Sequence, residues 1–397
     1  MCTEWLQRLG CHDLDVCRPR WAAWFKLATL LNGQATWHGQ TESTTMTSPL
    51  KVGLLGFGYA SATFHAPLIA AVPGLQLTAI SSSRAQDVHA AWPGVAVCDT
   101  PESLIARPDI DLVVVATPNN THAPLAALAL RAGKHVVVDK PFTLNVQEAR
   151  DLILLAKQQA RLLSVFHNRR WDGDFLSLQA VLNSATLGRI VHVESHFDRY
   201  RPVVPQRWRD SGEPGSGLWY DLGPHLLDQA LQLFGPPQTL SLDWARQRDH
   251  SRADDWFHAL LHYGDMRVVL HASALTAHVA PRFTVHGTEG SLVKWGLDTQ
   301  EAALKAGQRP PLADWGVDPE PLRLTLSDAQ QHLSESTQMG MPGDYTRYYA
   351  GIRDAVLCGA ANPVPAEEAL WVMELIELGQ RSATEGRRMA VALRSEV

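Results

Sequence analysis

The sequence predicts an α/β protein, with a doubly wound parallel sheet first and a C-terminal α+β domain with a large, mainly antiparallel open sheet after it. Two patterns along the chain predict this class. Between residues 50 and 167, six short β-branched runs alternate with helical stretches, which is typical of parallel strands covered by helices on both faces. Beyond this point the strand-like runs are longer and alternate apolar with polar side chains, which is typical of an antiparallel sheet with one open face.

The same patterns divide the 397 residues into four segments. Residues 49–168 form the parallel-sheet domain, and residues 169–345 form the open-sheet domain for substrate and subunit contacts. Residues 346–397 contain helices that we expect to pack back on the first domain. Residues 1–48 show no alternation of strands and helices, so we expect this extension to be disordered or to precede a translation start at Met46.

Composition favours a small-molecule partner in the cytoplasm. The chain has 35 Lys and Arg against 41 Asp and Glu, so its net charge does not favour nucleic acid. Its five cysteines form no C-x-x-C pair, which fits a reduced compartment and gives no cysteine-zinc motif. No apolar run reaches the about 18 residues of a membrane span. We therefore expect a cytoplasmic protein without a membrane partner.

The first strand run, KVGLL, leads directly into the glycine-rich turn GFGYAS. Gly56 permits a tight turn, and Gly58 lets the backbone approach a pyrophosphate at the positive end of a helix that we expect to begin near Ala60. The third position of this motif needs only a small side chain, which Ser61 provides. With Phe57 between the glycines, the turn predicts a Rossmann site for a nicotinamide cofactor. The alternative, a plain strand-turn-helix, is disfavoured by the strand alternation that follows.

The second strand run, LQLTAIS, is followed by the hydroxyls of Ser82 and Ser83 and the guanidinium of Arg84. NAD-specific folds place a carboxylate at this point to bind the ribose hydroxyls. Hydroxyls with a guanidinium instead suit a 2′-phosphate, which accepts charge-assisted hydrogen bonds. The sequence therefore predicts NADP or NAD, with NADP preferred; the alternative is a solvated turn that begins the next helix.

The remaining strand runs of the first sheet are VAVC, DLVVVA, HVVVD and LLSVF. The third of these is followed at once by Lys140, and Pro141 then fixes the direction of the chain. Lysines are usually solvated surface charges. This lysine lies at the carboxyl edge of the sheet, where open α/β folds bind their ligands, so it is a catalytic candidate.

A second catalytic candidate lies in the stretch GSGLWYDLGPHLLDQALQLFG. Pro224 favours a helix start, and Asp221, His225 and Asp228 follow at i, i+4 and i+7 on one helix face. Hydride transfer from an alcohol needs a base, and histidine titrates near neutral pH, where we expect His225 to titrate. A neighbouring carboxylate would orient the imidazole or hold a second substrate hydroxyl. The alternative is an N-capping aspartate with a structural histidine.

Over residues 50–394 the chain resembles the glucose-fructose oxidoreductase / inositol dehydrogenase (Gfo/Idh/MocA) family. The resemblance rests on GFGYAS, ATPNNTHAPLAALAL, AGKHVVVDKPF, GSGLWYDLGPHLLDQ and NPVPAEEALWVMELIELGQRSATEGR. The stretches SATFHAPL, SVFHNRRWDGDF and ESHFDRYRPVVPQRWR resemble its scyllo-inositol dehydrogenase branch. The resemblance implies that Lys140 contacts the nicotinamide ribose and the reacting hydroxyl, and that Asp221 and His225 form a D-x-x-x-H pair with His225 as base. Asp139 stands where the family commonly has Glu, a shorter carboxylate that leaves the role of Lys140 intact.

The resemblance also implies further binding residues. Those expected to line the cofactor are Thr117, Pro118, Asn119 and His122. Asn168 and Arg169, just past the sixth strand, are implied to border the nicotinamide and the substrate.

The stretch HFDRYRPVVPQRWR combines guanidinium groups with aromatic rings. Its cationic and aromatic residues are Arg199, Arg201, Arg207, Arg209, Tyr200 and Trp208. One interpretation is a polyol-binding wall, and the other is a charged strand edge with a subunit contact. Other histidines lack a carboxylate partner pattern, and we expect them to be structural; these are His258, His262, His271 and His286.

Together these features predict an NAD(P)-dependent oxidoreductase that transfers a hydride between the cofactor and a cyclic polyol, with scyllo-inositol and its inosose as the specific pair and no metal required. Two alternatives stay open. One is a dehydrogenase or reductase for another sugar, ketone or biliverdin-like tetrapyrrole, since one fold hosts many substrates. The other is a non-catalytic cofactor sensor, against which the joint presence of Lys140, Asp221 and His225 argues. The open sheet predicts a homo-oligomer, either a dimer or a tetramer.

Overall fold

A computed structural model describes residues 48–278 and 280–393, so residues 1–47 of the predicted extension lie outside the described residues. The first sheet has six parallel strands in the order β3-β2-β1-β4-β5-β6. They are β1 (Leu50–Leu55), β2 (Leu75–Ser81), β3 (Ala96–Cys98), β4 (Leu112–Val115), β5 (His135–Val138) and β6 (Leu163–Val165). This is the doubly wound Rossmann order, which reverses between β1 and β4 and opens a crevice there.

Helices cover both faces of this sheet, which explains why a run such as LVVV in β4 is buried at every position. The helices are α1 (Ala66–Ala71), α2 (Ala85–Ala91), α3 (Pro101–Ile105), α4 (His122–Arg131) and α5 (Val146–Gln158). A π-helical turn, Ser61–His65, leads into α1. Capping fixes α5, because the Asn145 side chain accepts a hydrogen bond from the Glu148 amide at 2.9 Å.

The second sheet has nine strands in the order β14-β13-β12-β11-β7-β10-β9-β8-β15. They are β7 (Ile190–His196), β8 (Thr239–Ala245), β9 (Trp256–Tyr263), β10 (Met266–Ser273), β11 (Phe283–Gly287), β12 (Gly290–Lys294), β13 (Leu322–Ser327), β14 (Leu333–Gln338) and β15 (Met389–Ala390). The pair β7 and β10 is parallel, and the other neighbouring strands are antiparallel. The predicted fold class is confirmed.

The α-helices of this domain are α6 (Gly173–Asn183), α7 (Leu218–Asp221), α8 (Gly223–Phe234) and α9 (Gln300–Lys305). Of these, α7 packs against β9 and α8 packs against β10. Burial alternates along β9, where Phe257 is buried and His258 is exposed. One face therefore supplies the core, and the other face is open.

Two C-terminal helices hold the two sheets together. They are α10 (Thr346–Cys358) and α11 (Ala366–Glu385). On α11, Glu377 accepts a hydrogen bond from the Val146 amide of the first domain at 2.6 Å. Trp219 of the second domain reaches the same helix, because its indole donates to the Ile376 carbonyl at 3.0 Å. These contacts tie both domains to α11. Among the described helices, none has the length and apolar character needed to cross a bilayer.

Candidate active site

A cleft of about 340 Å³ lies at the carboxyl ends of the parallel strands, where the second domain approaches them. The loops after β5 and β6, the helix start at α7 and α8, and the segment after β7 all contribute to its wall. The wall carries seven Lys or Arg side chains and three carboxylates, so its field is positive. Such a field attracts anionic or oxygen-rich ligands.

The glycine turn after β1 has the shape that a dinucleotide requires. Gly56 adopts φ +84°, and a Cβ there would lie 3.2 Å from the Thr117 side chain, so a larger residue is strained. A Cβ on Gly58 would meet no atom within 4 Å, so this backbone faces open space in which a pyrophosphate fits. Helix begins at Tyr59, and Ser61 is completely buried, with no hydrogen-bond partner for its hydroxyl in the described part of the chain. The residues present therefore fit a nicotinamide dinucleotide, with Phe57 buried beneath the turn.

The turn after β2 is largely exposed and is held by contacts between its own residues. The Ser82 hydroxyl accepts a hydrogen bond from the Arg84 amide at 3.0 Å. The Arg84 guanidinium is 55% exposed and lies 3.5 Å from the Asp87 carboxylate. Ser83 is exposed beside it. These groups are accessible to a ligand at the end of β2, where a ribose lies in Rossmann folds.

The loop after β4 is tied to the loop after β5 and to Gly215 of the second domain. The His122 ring lies 2.8 Å from the Pro141 carbonyl oxygen and 2.9 Å from that of Thr117. Burial lowers the pKa of His122, so its neutral ring donates to one of these two oxygens. Asn119 donates to the Gly215 carbonyl at 3.1 Å. With Pro118 between them, these residues shape the edge beside the cleft rather than its described wall.

Lys140 and Asp221 meet inside the cleft. The Lys140 ammonium donates to the Asp221 carbonyl at 2.7 Å and to its carboxylate at 2.9 Å. Burial raises the pKa of Asp221, but Lys140 and Arg209 outweigh it and hold this pKa below its usual range. Asp221 is therefore an anion that holds the lysine in place.

Asp139, next to the lysine, is also anionic. Burial raises its pKa, but His65, Lys140 and His122 bring it down to about 2. Its carboxylate accepts a hydrogen bond from the Lys140 amide at 2.8 Å. The carboxylate therefore also fixes the backbone at the lysine.

The predicted helix face is divided because the helix is interrupted at Leu222. Leu222 links α7 to α8, and Pro224 occupies the first turn of α8 as predicted. Asp221 and His225 both line the cleft. Asp228 does not, because it is buried and accepts three hydrogen bonds from Arg170 at 2.6, 2.9 and 3.2 Å.

The structure differs from one of the two roles considered for Asp221 and from the expected titration of His225. The Asp221 carboxylate binds Lys140 instead of the imidazole, whose Nδ1 is buried without a hydrogen-bond partner among the described residues. Burial lowers the pKa of His225 well below the usual range, and Lys140 and Arg169 lower it further. Titration near neutrality is therefore wrong for the free protein. The ring is neutral at pH 7 and able to accept a proton.

Asn168 and Arg169 line the cleft at the end of β6. The Arg169 guanidinium is held by Asp172 at 3.1 Å and by Glu301 at 2.7 Å. It also lies 4.7 Å from the centre of the Phe197 ring. This arginine is thus rigidly placed, which suits a group that fixes a ligand.

Sequence reasoning missed Glu301, which connects the two domains across the cleft. Besides Arg169, it accepts hydrogen bonds from the Tyr59 hydroxyl at 3.0 Å and the Lys305 ammonium at 2.6 Å. Burial raises its pKa, but Arg169 and Lys305 bring it down to about 2. Tyr59 could have been found from its place beside Gly58. Nothing in the sequence around α9 indicated Glu301.

Only some residues of the arginine-rich segment line the cleft, although the polyol-wall interpretation placed both its arginines and its aromatic residues there. The four guanidinium-bearing residues line the wall, namely Arg199, Arg201, Arg207 and Arg209. Tyr200 is 60% exposed and lies outside the described wall. Trp208 also lies outside it, with the Arg209 guanidinium 4.6 Å from its ring centre. Guanidinium donors, rather than aromatic faces, form this side of the cleft.

The histidines of the open sheet differ from expectation at one position. His271 lies 3.5 Å from the Asp198 carboxylate, so the expectation that it lacks a carboxylate partner is wrong. His286 bonds to the Ser291 hydroxyl at 2.8 Å. His258 and His262 have lowered pKa values because of burial.

The doubly wound sheet, its glycine turn and the cleft beside it define a nicotinamide-binding oxidoreductase. Residues 50–167 match the oxidoreductase family's NAD-binding Rossmann fold, and residues 180–392 match its C-terminal alpha/beta domain. The chain therefore belongs to the Gfo/Idh/MocA oxidoreductase family.

Three similar proteins illustrate the family. The uncharacterized oxidoreductase YdgJ of Escherichia coli K12 is 53% identical over 347 residues, which cover 87% of this chain and 100% of YdgJ. The scyllo-inositol 2-dehydrogenase (NADP(+)) IolW of Bacillus subtilis 168 is 37% identical, covering 85% of this chain and 95% of IolW. A solved oxidoreductase structure from Yersinia pestis is 55% identical, with a TM-score of 0.85 over 88% of this chain and 99% of that one.

Proposed function

We propose that this protein transfers a hydride between a nicotinamide cofactor and a carbinol carbon of a cyclic polyol, with scyllo-inositol and its inosose as the substrate pair. The observation that carries the proposal is the convergence of Lys140, Asp221 and His225 in one cleft at the carboxyl edge of the Rossmann sheet. A protein that only binds a dinucleotide needs the glycine turn alone.

The bound cofactor would supply the hydride acceptor for alcohol oxidation. His225 is neutral and takes the hydroxyl proton as the C–H bond breaks. The Lys140 ammonium stabilises the negative charge that develops on the oxygen, and Asp221 keeps that ammonium in position. In the reverse direction, protonated His225 returns its proton to the carbonyl oxygen.

The glycine turn of Gly56 and Gly58 would hold the pyrophosphate of the cofactor. We propose that NADP is preferred over NAD. Exposed Arg84 and the hydroxyl of Ser82 support this choice, because the 2′-phosphate accepts hydrogen bonds from both types of donor. The NADP specificity stated for IolW, a relative at 37% identity, supports it as well.

The substrate side of the cleft is rich in fixed donors. Arg169 is held by two carboxylates, and Arg199 lies 4.8 Å from the centre of the Phe197 ring. Guanidinium groups donate to several hydroxyls at once, which suits a polyol with a hydroxyl on every carbon. IolW is named for scyllo-inositol, which supports a cyclic substrate.

We further propose that the protein works in the cytoplasm as a homo-oligomer joined through the open face of the nine-stranded sheet. The alternating burial of β9 leaves one side of this sheet uncovered. Light scattering after size-exclusion chromatography tests the assembly, and a monomer at micromolar concentration would contradict it.

The activity is tested by a steady-state assay of the purified protein against a panel of inositols, inososes and sugars, with NAD and NADP in parallel. We expect turnover of scyllo-inositol, faster with NADP at equal concentration. The absence of turnover with every cyclic polyol and its ketone would exclude the proposal. Tight cofactor binding without any hydride exchange would instead indicate a sensor.

A further inference from the structure

Three side chains at the carboxyl end of β7 form a compact cluster on the second sheet. We call His196, Asp198 and His271 the His–Asp cluster. His196 and His271 are register partners in the parallel pair of β7 and β10. Asp198 follows His196 by two residues, and in extended chain this spacing returns a side chain to the same face. Three groups that ligate metals are therefore placed side by side.

The distances within the His–Asp cluster suit a metal ion. His196 Nδ1 lies 3.4 Å from Asp198 Oδ2, and His271 Nε2 lies 3.5 Å from Asp198 Oδ1. One ligand atom from each residue lies within 4.8 Å of the others. Tetrahedral Zn²⁺, with bonds of about 2.0–2.2 Å, separates its ligand atoms by roughly 3.3–3.6 Å. At 3.4 Å, His196 Nδ1 and Asp198 Oδ2 also form a hydrogen bond, longer than the usual range of about 2.7–3.2 Å, and a bound ion would replace it.

Burial and partners around the cluster also favour a cation. The Asp198 side chain is only 3% exposed, and its Oδ1 has no hydrogen-bond partner among the described residues. A buried carboxylate oxygen without a partner is costly, and a cation would remove that cost. The far nitrogen of His196 lies 3.0 Å from the Glu194 carboxylate. A carboxylate behind a histidine ligand is the usual outer support of a metal site, because it fixes the ring and increases its basicity.

We propose that the His–Asp cluster is a binding site for a divalent transition-metal ion, with Zn²⁺ as the occupant, held by three protein ligands and one water. Histidine nitrogen with carboxylate oxygen is a donor set that suits this ion. The site lies outside the cleft and goes beyond the proposed hydride transfer, which needs no metal.

The position of the cluster gives the ion a structural role. The chain continues from Asp198 directly into Arg199 and Arg201, which line the cleft. An ion that joins β7 to β10 at this point would fix the start of the arginine segment. We therefore expect metal binding to stabilise the fold and to lower the KM for the substrate while leaving kcat almost unchanged.

The test uses the full chain without a histidine tag, stripped with a chelator and then dialysed. ZnCl₂ is titrated by calorimetry, and bound zinc is counted by mass spectrometry. Two variants are compared with the wild type. The double variant carries both His196→Asn and His271→Asn, and the single variant Asp198→Asn keeps the shape of the side chain. The matched control is His332→Asn, since His332 also lies beside a carboxylate, Asp328 at 3.3 Å, but is 81% exposed.

We expect the double variant to bind one zinc ion fewer per chain than the wild type and the control. This difference separates the cluster from any ion held by the cysteines and histidines of residues 1–47. Asp198→Asn should weaken zinc binding at least about tenfold. Cobalt(II) added to the stripped wild type should give the visible absorption of a tetrahedral site, absent in the double variant.

Equal zinc stoichiometry and affinity in the wild type and the double variant would overturn the proposal. The cobalt spectrum and the zinc count do not depend on catalysis, so they stand even where no polyol is turned over. Circular dichroism of each stripped variant shows that it is folded. Should the double variant fail to fold, Asp198→Asn alone decides, and unchanged zinc affinity in it overturns the site.

Discussion

Two ion pairs, each with an aspartate from the segment of α7 and α8, differ in burial, and we expect them to differ in their effects on catalysis and on stability. Asp221 ends α7 and pairs with Lys140, whose side chain is 14% exposed in the cleft. Asp228, two turns further on, pairs with Arg170, and both of these side chains are at least nine-tenths buried. The two aspartates look equivalent in the sequence, where both were placed on one helix face.

The difference lies in what each pair leaves free. The Lys140–Asp221 pair borders an open cleft, so the ammonium can reach a ligand. Arg170 is shared between Asp228 and Glu368, at 2.6 and 2.7 Å, and its buried guanidinium has a raised pKa because these two carboxylates outweigh desolvation. We therefore expect the Lys140–Asp221 pair to affect kcat and the Arg170–Asp228 pair to affect the free energy of unfolding.

The largest effect is expected at His225, the residue between these two aspartates. His225→Ala should reduce kcat by about 10²–10⁴, because it removes the proton acceptor for the reacting hydroxyl. The measurement is steady-state oxidation at saturating cofactor. His286→Ala, a histidine on the open sheet, serves as control and should retain full activity. A His225 variant within twofold of wild type would reassign the base.

Breaking the buried pair should affect stability instead of chemistry. Asp228→Ala leaves the Arg170 guanidinium without its main partner, which typically costs about 3–5 kcal/mol. Urea unfolding followed by circular dichroism measures the loss. Unchanged unfolding free energy with a strongly reduced kcat would show that Asp228 belongs with the catalytic residues after all.

Breaking the cleft pair should do the reverse. Lys140→Ala should lower kcat by roughly 10² or more, since the ammonium acts mainly on charge that develops in the transition state. Its unfolding midpoint should stay close to that of the wild type, because the pair borders solvent. Near-normal turnover in Lys140→Ala would place the lysine among ordinary surface charges.

A smaller effect is expected at the ribose end of the cofactor site. Arg84→Ala should weaken NADP binding by roughly tenfold and change NAD binding little, since a charge-assisted hydrogen bond to the 2′-phosphate is lost. Ser82→Asp should shift the preference further toward NAD, because a carboxylate repels the phosphate. Fluorescence titration with each reduced cofactor gives the constants, and equal losses for both cofactors would contradict the assignment.

The smallest effect concerns pH. Because the folded protein holds the pKa of His225 well below 6.5, the base stays neutral as the pH falls from 8 to 6.5. We expect kcat/KM for oxidation to change by less than about twofold over this range, with the acidic limb at lower pH. The same lowered pKa makes protonation favour the unfolded chain, so stability falls as the pH drops below about 6.5. A limb centred near pH 7 would show that the cleft does not suppress protonation of His225.

Much of the site followed from local sequence. The Gly56 turn, Lys140 behind a strand and the pair Asp221 and His225 each depend on residues within a few positions of one another. Strand ends and helix starts place such residues in a known direction, because the backbone periodicity is fixed. The resemblance to the family rests partly on the same short stretches.

Contacts between distant segments did not follow from the sequence. Glu301 lies 132 residues from its partner Arg169, and Asp221 lies 81 residues from Lys140. Spacing in the sequence gave no reason to prefer Lys140 over the imidazole as the partner of Asp221. The packing of α8 against the loop after β6 decided that Asp228 turns away from the cleft toward Arg170.

The sequence by itself determined the fold class, the cofactor turn and the catalytic candidates, because hydrophobic periodicity and turn chemistry act over a few residues. Only the tertiary structure decided which charges meet and which His–Asp neighbours share a sheet face. His196 and His271 are 75 positions apart, and the register of β7 with β10 brings them together. Strand register and helix packing depend on contacts throughout the core, so they cannot be predicted from a local sequence pattern.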